Sequence, residues 1–158
     1  MMSAPTSPVY QALCEALDDE YKARATYAAV IDRFGPVRPF INIIQSEQRH
    51  INALQMLLRR RGWPIPDDPH GGRVDAPASL EEACRLGVQA ELDNVALYDR
   101  LNSLAAEDDE VLTVFANLQG ASQQRHLPAF RDGCSGGDGG GRGGHGGSRH
   151  GRCGGQGF

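Results

Sequence analysis

Apolar residues recur along this chain at alternating spacings of four and three, the repeat of helices that each bury one face. Leu13, Leu17, Glu20, Arg24, Tyr27, Ile31 and Phe34 form one such seam. Phe40, Ile44, Glu47, Ile51, Leu54 and Leu58 form a second. A third runs through Leu80, Cys84, Val88, Glu91, Val95 and Tyr98 to Leu101 or Asn102, and a fourth through Val111, Phe115, Leu118, Ser122 and His126. The two-residue alternation of strands is missing, so the chain is expected to be all-α.

Capping and breaking residues set the bounds. Ser7 is placed to cap the first helix and Pro8 to open it; Gly35-Pro36 breaks it after Phe34. The second helix is expected over about Val37 to Arg61, with Pro39 tolerated in the first turn, and Gly62-Trp63-Pro64 ends it. Ser79 and Glu82 make a capping box for the third, which runs to about Ala106. Asp108 or Asp109 caps the fourth, which ends near Phe130. Short connections make helices one and two antiparallel neighbours, and likewise three and four. The Pro- and Asp-rich linker between the pairs, about seventeen residues, spans up to roughly 55 Å extended. The second helix is only about 38 Å long at about 1.5 Å per residue, so a crossover along the whole bundle is geometrically open.

The seams carry charge where a core should be apolar. Glu20, Glu47 and Glu91 each lie mid-seam, and a lone carboxylate in a core is costly unless it is paired or bound to a cation. His50 flanks the second seam beside Ile43 and Leu57. Glu47 and His50 stand three apart, so a helix projects both from one face toward one metal ion. The phrase Glu47-Gln48-Arg49-His50 returns as Gln123-Gln124-Arg125-His126, and doubling such a unit is how a bundle builds a two-metal centre. Heights agree as well. Glu20 lies fifteen residues before Gly35 and His50 fifteen after it; Glu91 and His126 stand sixteen before and nineteen after Glu107. Tyr27 and Tyr98 each follow a glutamate by seven residues, as core residues or as electron relays. The chain reads as a duplicated helical hairpin with a pseudo-twofold axis through the site. Carboxylate with imidazole suits iron, manganese or zinc better than calcium or magnesium.

The runs Asp19 to Arg24, Asn42 to His50, Ala90 to Asp93 and Ala121 to Phe130 together resemble the ferritin-like proteins, and within them the family called domain of unknown function 2202. The resemblance covers about Val9 to Phe130. It implies a ferritin-like four-helix bundle of two antiparallel hairpins with a crossover linker, holding a carboxylate-bridged di-iron site as in ferritin and rubrerythrin. By that pattern Glu20 and His50 with Glu47 serve one half of the site, and Glu91 with His126 the other. The chain departs from the pattern at Gln123, where a glutamate is expected three residues before the second histidine. Ser122 shares the seam and is the rival neighbour of His126. The segment from Phe115 to His126 is also one residue longer than that from Phe40 to His50, an excess that a local bulge can absorb.

Composition narrows the classes. From Gly133 onward fourteen of twenty-six residues are Gly, so 132–158 is expected to be a disordered tail beyond a domain of 7–131. From Gly133 onward, Arg142, Arg149 and Arg152 against Asp138 give +2, so of the net −4 the part before Gly133 carries −6. An acidic body argues against a nucleic-acid partner. No apolar run spans a membrane, the first residues lack the regions of a signal peptide, and Cys14, Cys84, Cys134 and Cys153 form no disulfide framework; a cytoplasmic protein is expected. A homodimer stays open. The leading reading is a binuclear metal protein, with iron ahead of manganese and zinc, that reacts with dioxygen or peroxide. Its rivals are a non-catalytic, metal-stabilised binding or assembly module and, more weakly, a tail that touches RNA or membranes.

Overall fold

The structure is a computed structural model that describes residues 6–135; most of the expected tail, from 136 on, lies outside the described residues. Those residues form helices α1 (Pro8–Phe34), α2 (Phe40–Arg60), α3 (Leu80–Leu104) and α4 (Asp109–Ala121), a π-helical turn (Ser122–His126) and α5 (Leu127–Ser135). No strand occurs among the described residues, and no helix of theirs is long and apolar enough to cross a membrane.

The caps act as their sequence suggests. Ser7 accepts from the Tyr10 N–H, Ser79 from Glu82, and Asp108 from Val111, each satisfying a donor that has no partner within its helix. Glu82 answers the Ser79 cap one residue further back, on the Ala78 N–H. Two boundaries differ from expectation. α2 begins at Phe40 rather than Val37, because Pro39 takes the N-cap position, where its carbonyl accepts from the Ile43 N–H. The final helix continues to Ser135 rather than ending near Phe130.

Contacts between helices give their directions. Tyr10, early in α1, donates to the Pro64 carbonyl just beyond α2, so α1 and α2 run antiparallel. Glu15 pairs with Arg100 while Tyr27 reaches Glu91, so α1 and α3 are antiparallel too. Gln119 donates to the Val95 carbonyl of α3, and Arg61 pairs with Asp108 at the start of α4 while Ser46 meets His126. Every neighbouring pair is therefore antiparallel, and α2 and α3 point the same way. The linker makes this possible by running back along α1. Pro66 accepts from Tyr21, Asp68 pairs with Arg24 at 2.9 Å, and His70 pairs with Asp18. Arg24, a charged residue on an apolar seam, is thereby accounted for by a carboxylate on the crossover.

The core lies in two apolar layers. One contains Leu13, Leu17, Ile51, Leu54, Leu58, Leu101 and Phe115. The other is built on Tyr27, Val30, Phe40, Ile43 and Phe130. Phe130 has ring centroids 5.3 Å from Tyr27 and 5.2 Å from Phe40, and it presses on α3 at Gly87, where an added Cβ would stand 2.7 Å from the ring. A ring held between two others has no room to yield. Gly87→Ala should therefore destabilise the fold by about 1–3 kcal/mol through overpacking, despite the ~1 kcal/mol that alanine gains in helix propensity. Urea denaturation gives the sign: a higher midpoint for Gly87→Ala would contradict this packing.

Candidate metal centre

Between the two apolar layers all five expected residues meet. Glu20, Glu47, His50, Glu91 and His126 are at most 7% exposed, one from α1, two from α2, one from α3 and one from the π turn. His50 Nδ1 lies 3.4 Å from Glu20 Oε2 and 3.2 Å from Glu47 Oε2. His126 Nδ1 lies 3.2 Å from Glu47 Oε1 and 3.4 Å from Glu91 Oε1. Glu47 thus offers one oxygen to each imidazole and sits between two half-sites. The imidazole rings stack at 5.5 Å and 20°.

Glu20, Glu47 and His50, and separately Glu47, Glu91 and His126, are groups that can hold a metal ion. Ligand atoms about 2.0–2.2 Å from one ion lie roughly 3–4.4 Å from each other, the range of the four histidine–carboxylate distances. A second observation supports the fit. His126 Nδ1 is buried and, despite its two carboxylate neighbours, is aligned for a hydrogen bond with neither. Three donor atoms grouped in this way suit one shared cation better than a donor and its acceptor. Two imidazole nitrogens and three carboxylates also match the preferences of iron, manganese and zinc.

Hydrogen bonds from outside this set fix the ligands. Tyr98 of α3 donates to Glu20 Oε1 of α1 at 2.8 Å, and Tyr27 of α1 donates to Glu91 Oε1 of α3 at 2.9 Å. The two tyrosines that follow glutamates by seven residues therefore serve each other's glutamate, not their own. Ser46 was not legible as a site residue. Its hydroxyl oxygen stands 3.3 Å from His50 Nε2 and 3.0 Å from His126 Nε2. Hydrogen-bonded to both Nε2 atoms, it leaves both Nδ1 atoms facing the carboxylates. The only signal in the sequence was its place one turn before His50.

The segment before His126 departs from the one before His50, and the structure shows how. Gln123 faces solvent. Ser122, 1% exposed, stands on the inner face instead and donates to Asn94 at 2.7 Å, which in turn donates to Asp19 at 2.7 Å. The extra residue of this segment is taken up by the π turn, where the Leu127 N–H bonds to the Ser122 carbonyl. That widened turn brings His126 into the site and lets Gln123 swing out. Pro128, which has no N–H to give, follows directly.

Charge in the cluster is balanced by protons when no cation is bound. Burial, then the neighbouring Glu47, raises the Glu20 carboxyl to about 8. Burial opposes charge on His50, but Glu20 and Glu47 outweigh it and raise the imidazole to about 10. For His126, burial is likewise outweighed by Glu47 and Glu91, and its value rises to about 9. Burial would raise Glu47, but contacts with Glu20 and the two histidines hold it below its ordinary range.

No protein-family model matches the chain, and no curated protein matches it in sequence. Among solved structures, the crystal structure of the hypothetical protein MJ0754 from Methanococcus jannaschii is similar, with a TM-score of 0.71 at 22% identity over 79% of this chain and 78% of that one. At that identity the likeness is one of fold.

Two outcomes follow from this geometry. Glu20, His50 and His126 hold protons more tightly folded than unfolded, where their values are ~4.3 for Glu and ~6.5 for His. Metal-free protein should therefore lose stability as pH rises from about 5 to about 10; Glu47, shifted the other way, acts only below ~4.3. Saturating Mn(II) or Zn(II) replaces those protons and should flatten the decline. Melting temperatures across this pH range, with and without metal, check both signs. Ser46→Ala should weaken metal affinity about 10-fold by freeing the imidazoles, with Ser46→Thr restoring most of it; equal affinity in all three proteins would remove Ser46 from the site.

Proposed function

We propose that this chain is a ferritin-like bundle holding a binuclear metal centre, di-iron by preference, that reacts with dioxygen or peroxide. The observation that carries the reading is Glu47, a buried carboxylate with an oxygen 3.2 Å from each of two imidazoles. Glu20 and His50 would hold one ion, Glu91 and His126 the other, with Glu47 shared. An iron pair bound there supplies electrons to dioxygen or peroxide by passing between the ferrous and ferric states. The ferritin-like assignment rests on two antiparallel hairpins, a crossover along α1 and ligands that repeat between halves.

The chain's own groups prepare the site for this work. Tyr27 and Tyr98 hold the outer carboxylates through hydrogen bonds, while the apolar layers on either side keep bulk water out. The cluster releases protons as cations enter, because imidazole must lose its Nδ1 proton to bind metal. Ser122, a neutral hydroxyl engaged with Asn94, adds no negative charge at the fourth position. Each half-site thus has two carboxylates and one imidazole, and no further charged ligand joins them from the π turn.

Anaerobic titration with Fe(II) should reach two equivalents per chain, and admission of air should then consume oxygen. Glu47→Gln should leave a folded protein that binds about one equivalent or fewer, since the shared ligand serves both positions. Purified chain that takes up no iron, manganese or zinc sinks the proposal. Two-metal binding that raises the melting temperature with no turnover of dioxygen or peroxide would favour the non-catalytic module, for which the absent fourth carboxylate is the supporting observation.

A further inference from the structure

A cleft in the bundle reaches this centre at two of its carboxylates. It has a volume of about 300 Å³ and opens between α1, α3 and the last part of the linker. Glu47 and Glu91 are among its walls, whereas Glu20, His50 and His126 are not. A metal ion alone does not need such room; an apolar cavity of about 150 Å³ holds benzene.

The lining describes an occupant. Ala23, Leu86 and Ala90 give the walls an apolar surface, and Leu86 is left 46% exposed, a large side chain that a bound molecule would cover. Exposed Asp75 and Asp93, with Asp19 further in, stand against a single Lys22, a surplus of negative charge that draws cations and repels anions. From these features we infer that the cleft binds a small organic amine, its apolar body against Leu86 and Ala90 and its ammonium group at the aspartate-lined mouth. The inference rests on the binuclear reading, since it places this molecule beside the metal of the Glu91 and His126 half-site.

Full-length chain loaded with Mn(II) provides the test, with benzylamine, benzyl alcohol and benzoate as probes of matched size and differing charge. Benzylamine should bind saturably, its ring protons broadened by nearby Mn(II), and benzoate about 10-fold more weakly. Ala90→Phe, which fills the cleft, should abolish benzylamine binding while Mn(II) uptake persists. Leu86→Ser, at a position exposed enough to spare the fold, should weaken benzylamine about fivefold. Mn(II)-loaded protein that broadens none of the probes, binds benzoate as well as benzylamine, or retains benzylamine in both variants overturns the inference and leaves the metal centre standing. A chain that takes up no Mn(II) fails earlier, in the metal titration itself. That result overturns the binuclear reading and this inference with it.

Discussion

A carboxylate at the centre of a helical bundle has to be answered by positive charge, and the rest of this structure follows from how Glu47 is answered. Removing an ion from water costs several kcal/mol even after relaxation. Glu47 is 2% exposed and meets an imidazole on each oxygen. That arrangement requires α2 and the π turn to approach at the height of Glu47. It also requires Glu20 and Glu91 to come in from α1 and α3 to complete the two groups. The apolar residues are consequently divided into layers on either side, and the polar cluster between them specifies how the helices register.

The pseudo-twofold relation between the hairpins holds where α1 and α3 face each other and breaks where α2 faces the last helix. Tyr27 and Tyr98 exchange glutamates across the axis, so each outer carboxylate is fixed by the opposite hairpin. On the other side, His50 has Glu47 one turn away, while His126 has Ser122. One inserted residue produces the difference. An ordinary helix would place Gln123 nearest the position that Glu47 holds relative to His50; the widened turn puts it in solvent and aims a short hydroxyl inward. At that position a hydrogen-bonded chain forms instead, Ser122 to Asn94 to Asp19. π turns commonly occur at functional sites, and here the turn sets which side chain before His126 points inward.

The crossover linker has two consequences from one path. By running back along α1 it lets α2 and α3 point the same way, anchored through Tyr21, Arg24 and Asp18. Its last residues then roof the cleft beside Glu91. The connection that permits this topology therefore also shapes the approach to the centre.

The sequence by itself determined whatever depends on helical geometry near a residue. Apolar spacing gave four helices, and Ser7, Ser79 and the pair Asp108 or Asp109 marked the starts of three of them, because a cap acts within one turn. The heights of Glu20 and His50 could be counted from Gly35, since each residue advances a helix by a constant rise of about 1.5 Å. The extra residue before His126 was visible as a mismatch in length. Tertiary structure decided what depends on how whole helices rotate against each other. No local rule pairs Tyr98 with Glu20 across 78 positions, or puts Ser46 beneath an imidazole 80 residues away. Nor could spacing choose between Ser122 and Gln123, because a π turn rotates one inward and the other out, and that choice is made by the packing of Phe130 and His126 against the other helices.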